Sequence, residues 1–144
     1  MLWQLVSNEN IMSVAWIPLK VELGALPSCS GATAYELQGI PPDAKEVLIY
    51  TFITTKGEGG EFQRGWYEFS TDDGTTEFKQ YMNVATGQGV NIVNSANMWF
   101  PVPPNYTLTV KLDLMQDGNK HIAGKLAASQ PDDWSKVFII GYRC

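Results

Sequence analysis

The chain has 144 residues, 44% of them hydrophobic and 17% charged, enough for one domain with a sizeable core, since a chain of this length buries roughly 70% of its unfolded surface. Ten Lys and Arg against fifteen Asp and Glu give a net charge of −5, which leaves no basic field to neutralise phosphates and argues against a nucleic-acid partner. No apolar run is long enough for a membrane-spanning helix.

Short β-branched or alternating runs separated by turn residues recur from end to end, without a sustained helical period. The first is Ala15 to Leu23, with Ala15, Ile17, Leu19, Val21 and Leu23 on one face. Pro18 within it lacks an N–H, which predicts an edge strand or a bulge. A loop from Gly24 to Gly31 leads to a short strand, Thr33 to Leu37, closed by Gly39-Ile40-Pro41-Pro42-Asp43. Val47 to Ile53 is apolar on both faces and predicts a central strand. After the glycine-rich loop Lys56 to Gly60 comes Phe62 to Ser70, where Trp66, Tyr67 and Phe69 alternate imperfectly, then the turn Asp72-Asp73-Gly74. Phe78, Gln80, Met82 and Val84 alternate with Lys79, Tyr81 and Asn83, the pattern of a half-buried strand. Thr86 to Gly89 turns the chain into Val90 to Val93. Asn94-Ser95-Ala96-Asn97 reads as a turn before a short strand, Asn97 to Phe100, ended by Pro101, Pro103 and Pro104. Leu108, Val110, Leu112 and Leu114 point inward against Thr107, Thr109, Lys111 and Asp113 outward. Asp117-Gly118-Asn119 closes a hairpin into Ile122, Gly124 and Leu126, and the last run, Val137 to Tyr142, is again apolar on both faces. About nine strands at this spacing predict a single all-β domain over residues 1–144, a two-sheet antiparallel β-sandwich of jelly-roll-like type. A closed up-and-down barrel is the alternative.

Histidine and cysteine usage removes several chemistries. His121 is the only histidine, so two-His metal sites and two-His relays cannot be assembled in one chain. There is no GxSxG elbow for a hydrolase, and no cofactor or metal is called for. Cys29 and Cys144 are far apart with no CxxC. They are open to a disulfide, which the chain-entropy model values at roughly 4–5 kcal/mol for so long a loop, to pairing between chains, or to remaining free thiols. The pairs Asp72-Asp73 and Asp132-Asp133 occupy turns without EF-hand spacing.

Three polar and aromatic groupings are candidates for ligand contact. Asp132 and Asp133 beside Trp134 would offer a sugar acceptors and a ring to stack on. Asn91, Asn94 and Asn97 near Trp99 would offer amides that donate and accept together. Arg64 lies near Trp66 and Tyr67. Against each stands plain packing or turn chemistry. The sequon Asn105-Tyr106-Thr107 is a glycosylation acceptor only in a secreted chain, and the N-terminal run lacks the positive and long apolar regions of a signal peptide.

Asn94-Ser95-Ala96-Asn97-Met98-Trp99-Phe100-Pro101-Val102-Pro103 and Val137-Phe138-Ile139-Ile140-Gly141-Tyr142-Arg143 resemble segments of a loosely defined group of secreted β-sandwich domains of marine invertebrates. Some of these are similar to domains next to collagen-like repeats. The resemblance implies an extracellular setting, a disulfide and trimeric assembly, although this chain has no collagen repeat. The expected function is that of a non-enzymatic binding module, a carbohydrate-binding, lectin-like homo-oligomer. Its ligand residues would be Asn91, Asn94, Asn97, Trp99, Asp132, Asp133 and Trp134. Two alternatives are a carrier of an apolar small molecule, such as a lipid or pigment, and a structural self-assembly domain.

Overall fold

The computed structural model describes residues 15–27, 31–56, 63–86, 91–114 and 135–144. Among them are eight strands and no helix: β1 (Ile17–Ala25), β2 (Gly31–Glu36), β3 (Glu46–Lys56), β4 (Gln63–Asp72), β5 (Glu77–Thr86), β6 (Asn91–Pro101), β7 (Thr107–Leu114) and β8 (Lys136–Arg143). Among the described residues, no helix is therefore long and apolar enough to cross a membrane. The strands form two four-stranded antiparallel sheets, ordered β1-β8-β3-β6 and β2-β7-β4-β5. The pairs β4 with β5, β3 with β6, β2 with β7 and β1 with β8 nest inside one another, as in a long hairpin folded over.

Alternation puts the apolar sets of both sheets into one sandwich-like core. Val47, Ile49, Phe100, Val137 and Ile139 of one sheet meet Tyr67, Phe69, Leu108, Val110 and Leu112 of the other, all fully buried. Burial of each large side chain contributes about 1.5–3 kcal/mol before the entropy of ordering is set against it. Tyr67 belongs to this core through its ring, and its hydroxyl donates to the Pro27 carbonyl at 2.7 Å. Burial, and then the Tyr35 hydroxyl, push its pKa far above the ordinary tyrosine value.

β1 is an edge strand with register shifts on both sides of Val21, as Pro18 required. The two runs that are apolar on both faces, β3 and β8, are the two interior strands of one sheet. The expected turn at Asn94 to Asn97 is overturned. These residues pair one by one with Ile53, Phe52, Thr51 and Tyr50 in register, which joins two expected short strands into the eleven-residue β6. Asparagines fit there because β6 is a sheet edge, where polar side chains keep access to water. The expected strand at Ile122 to Leu126, together with His121, lies outside the described residues.

Side chains bridge the two sheets on both sides. On one side the Tyr35 hydroxyl of β2 donates to the Ala25 carbonyl of β1. On the other, Gln80 Nε2 of β5 donates to the Trp99 carbonyl of β6 at 2.7 Å, and Asn94 Nδ2 donates to the Asn83 carbonyl. Backbone groups that edge strands would otherwise leave unpaired are thereby satisfied across the gap between sheets.

Cys144 carries a free, exposed thiol, whose pKa is raised by local desolvation and then by the Asp43 carboxylate. Cys29 lies outside the described residues.

Candidate functional site

Because Gly65, Tyr67, Phe69 and Thr71 of β4 face the core, Arg64, Trp66, Glu68 and Ser70 face outward. The same alternation turns Lys79, Tyr81 and Asn83 of β5, and Thr109, Lys111 and Asp113 of β7, onto this outer face. Register then decides which of them meet. Trp66 is opposed by Asn83 on one side and Asp113 on the other, and Glu68 by Tyr81 and Lys111. Directly opposed side chains on antiparallel strands start about 4.5–5.5 Å apart at Cβ. The half-buried Trp66 indole is thus set between a carboxylate and an amide, with Tyr81, 57% exposed, on the diagonal.

Polar contacts organise one end of this face. Lys79 Nζ lies 3.1 Å from a Glu68 oxygen and 3.5 Å from Glu77, and the Tyr81 hydroxyl donates to Glu68 at 3.3 Å. The hydrogen bond to Glu68, followed by the charges of Glu68 and Glu77, holds the Lys79 ammonium above its ordinary pKa. Lys79 therefore stays charged at neutral pH, and the pairing is lost only as pH rises through that raised value. Exposed pairs of this kind add little stability, so their effect is to hold the Glu68 and Tyr81 side chains in place.

The outer face of the other sheet is chemically different. Leu48, Tyr50, Phe138 and Trp99 lie on it, with the Tyr50 and Phe138 rings 6.2 Å apart. The Arg143 guanidinium stacks 3.8 Å from the centre of the Trp99 ring and its Nε lies 3.4 Å from Glu46. Trp16 lies against Gly141, where a Cβ would overlap its ring.

The expected asparagine patch is split by β6. Asn97 and Trp99 share the outer face just described, whereas Asn94 points the other way. Its Nδ2 is spent on the Asn83 carbonyl and its Oδ1 accepts from Ser95 N–H at 2.9 Å. Asn91 pairs with Lys56 in the ladder. Asp132, Asp133 and Trp134 lie outside the described residues. The carboxylates of Asp72 and Asp73 close the β4–β5 turn: Asp72 Oδ1 accepts from Gly74 N–H at 2.8 Å, and Asp73 Oδ1 from Thr76 N–H at 2.7 Å and from Thr75 N–H and Oγ1 at 2.9 Å. These bonds, led by those from the Thr76 and Thr75 backbone, hold the Asp73 carboxyl below its ordinary pKa.

Sequence reasoning marked Trp66 and missed its neighbours. Alternation had placed Asn83 and Asp113 on outward faces, but only the register of β4 with β5 and β7 brings them to the same ring. No known protein family matches the chain, and no curated protein matches it in sequence.

Proposed function

We propose that the chain is a non-enzymatic glycan-binding module whose sugar site is the outer face of β4, β5 and β7. The observation that carries this reading is the single cross-strand row Asp113–Trp66–Asn83. A pyranose presents an apolar C–H face and a rim of hydroxyls. The indole offers the first a flat surface, Asp113 accepts from the second, and the Asn83 amide both donates and accepts. The exposed Tyr81 extends the platform by a second ring.

The nested strand pairs support reading the sandwich as a jelly roll, an architecture that includes lectin domains, although a fold alone does not fix a ligand. Weak single sites gain from multivalency, which fits a homo-oligomer, and the resemblance to secreted domains fits an extracellular setting and a trimer. A carrier for an apolar molecule finds less support, because Tyr67, Phe69 and Phe100 fill the space between the sheets.

Self-assembly is a second reading, favoured by the outer face of β1, β8, β3 and β6. Two ion pairs are held in place on it, Glu46 with Arg143 and Glu22 with Lys136 at 3.0 Å. A second copy meeting this face would cover its apolar rings, with these two charge pairs already offset within each chain.

Screening the labelled full chain on a glycan array, followed by titration of the best ligand, tests the sugar reading. Binding that falls at least tenfold in Trp66→Ala and in Asp113→Ala supports it. An empty array, or variants that bind as the parent does, removes it.

A further inference from the structure

We infer that Asn105 is an acceptor for an N-linked glycan. The sequon Asn105-Tyr106-Thr107 occurs once in the chain, and the structure puts it where such a group can be carried. Asn105 is exposed in the turn between β6 and β7. Thr107 N–H donates to Asn105 Oδ1 at 3.1 Å, and the Thr107 hydroxyl donates to the Asn105 carbonyl at 3.0 Å. Both bonds use oxygens of Asn105. The amide nitrogen Nδ2, the atom that would be modified, makes no hydrogen bond among the described residues, so substituting it costs the fold no contact there.

The surroundings leave room. Asn105 and Pro104 border an open cleft of about 320 Å³ completed by Asp72, Asp73 and Gly74. Pro104 offers a first sugar ring an apolar surface, and the carboxylates offer its hydroxyls acceptors. The cleft lies at the end of β4, about 20 Å along the strand from Trp66 at roughly 3.3 Å per residue, so a glycan here leaves the outer-face row uncovered.

The co-reactant is an oligosaccharyl diphosphate lipid, delivered by a membrane-bound transferase. Asn105 Nδ2 attacks the anomeric carbon, forming the N–C bond as the C–O bond to diphosphate breaks. The lipid diphosphate leaves with the bonding pair, and the amide proton passes to a base of the transferase. Thr at the second position after Asn is part of what the transferase reads, which makes Thr107 a separate handle on the reaction.

The test directs the full chain into the secretory pathway of a eukaryotic cell and measures intact mass on the total product, secreted and retained alike. The expected result is added mass of oligosaccharide size that a peptide N-glycosidase removes, leaving Asp at position 105, with no added mass in Asn105→Gln or Thr107→Ala. The glycosylated chain should also melt no lower than the unmodified one. An unmodified parent chain, enzyme-sensitive mass that persists in Asn105→Gln, or a clearly lowered melting point overturns the inference.

Discussion

Trp66 and Tyr67 are adjacent, both aromatic and equally conspicuous in the sequence, yet one faces solvent and the other is fully buried. Successive strand residues point to opposite faces, so the choice between the two rings hangs on which face of β4 meets the core. The imperfect alternation of Phe62 to Ser70 did not decide it. Tyr67 also spends its hydroxyl on the Pro27 carbonyl. Tyr67→Phe keeps the packing but leaves that acceptor short of a partner, so it should lower stability by about 1–2 kcal/mol, read as a lower urea midpoint with unchanged slope. Asp73 provides a pH-dependent counterpart. Its folded-state pKa lies below the ordinary 3.8, so its contribution is complete above that value and is lost as pH falls through the depressed one. The gap in urea midpoint between the parent and Asp73→Ala should accordingly be constant near neutrality and narrow in acid. A gap that widens on acidification would contradict the hydrogen-bonded turn.

At the scale of elements, much was legible. Pro18 marked an edge strand, and β3 and β8 announced themselves as interior strands by carrying apolar residues on both faces. The misreading came at Asn94 to Asn97, where turn-forming residues sit inside a continuous strand. Local propensity was overridden there by eleven consecutive pairings with β3 and by the use of Asn94 to bridge to β5. That bridging role predicts that Gln80→Ala, which removes the bond to the Trp99 carbonyl, destabilises the chain by about 1 kcal/mol, measurable by chemical denaturation. Gly141 is another point where elements meet. A methyl group there would overlap the Trp16 ring. Since Trp16 is 46% exposed and stands at the start of β1, the ring should swing out rather than the sheet rearrange. Gly141→Ala should show red-shifted tryptophan fluorescence with only a small loss of stability, and an unshifted spectrum would count against the contact.

For the whole molecule, the informative contrast is between the two outer faces, one a mixture of rings, amides and charged groups, the other carrying an apolar cluster of rings and two ion pairs. Neither could be read from contiguous sequence, because each is assembled from strands distant in the chain. Trp66, Asn83 and Asp113 come from β4, β5 and β7 and become one group only when sheet order and register are known. The sequence carried the alternation that aims each outward, but not the pairing. If the apolar face joins copies of the chain, Asn97→Arg, an exposed change opposite Tyr50, should shift sedimentation toward monomer without lowering the melting point. A parent chain that is already monomeric at all concentrations would set self-assembly aside.

A paired titration decides whether the outer face of β4, β5 and β7 holds the sugar. The best glycan ligand is titrated calorimetrically into the parent chain, Trp66→Ala and Trp99→Ala, each shown to be folded. The sugar site assigned to β4, β5 and β7 predicts affinity at least tenfold weaker in Trp66→Ala, a loss of about 1.4 kcal/mol or more, and parent-like affinity in Trp99→Ala. Equal binding by the parent and Trp66→Ala, or loss confined to Trp99→Ala, would contradict it.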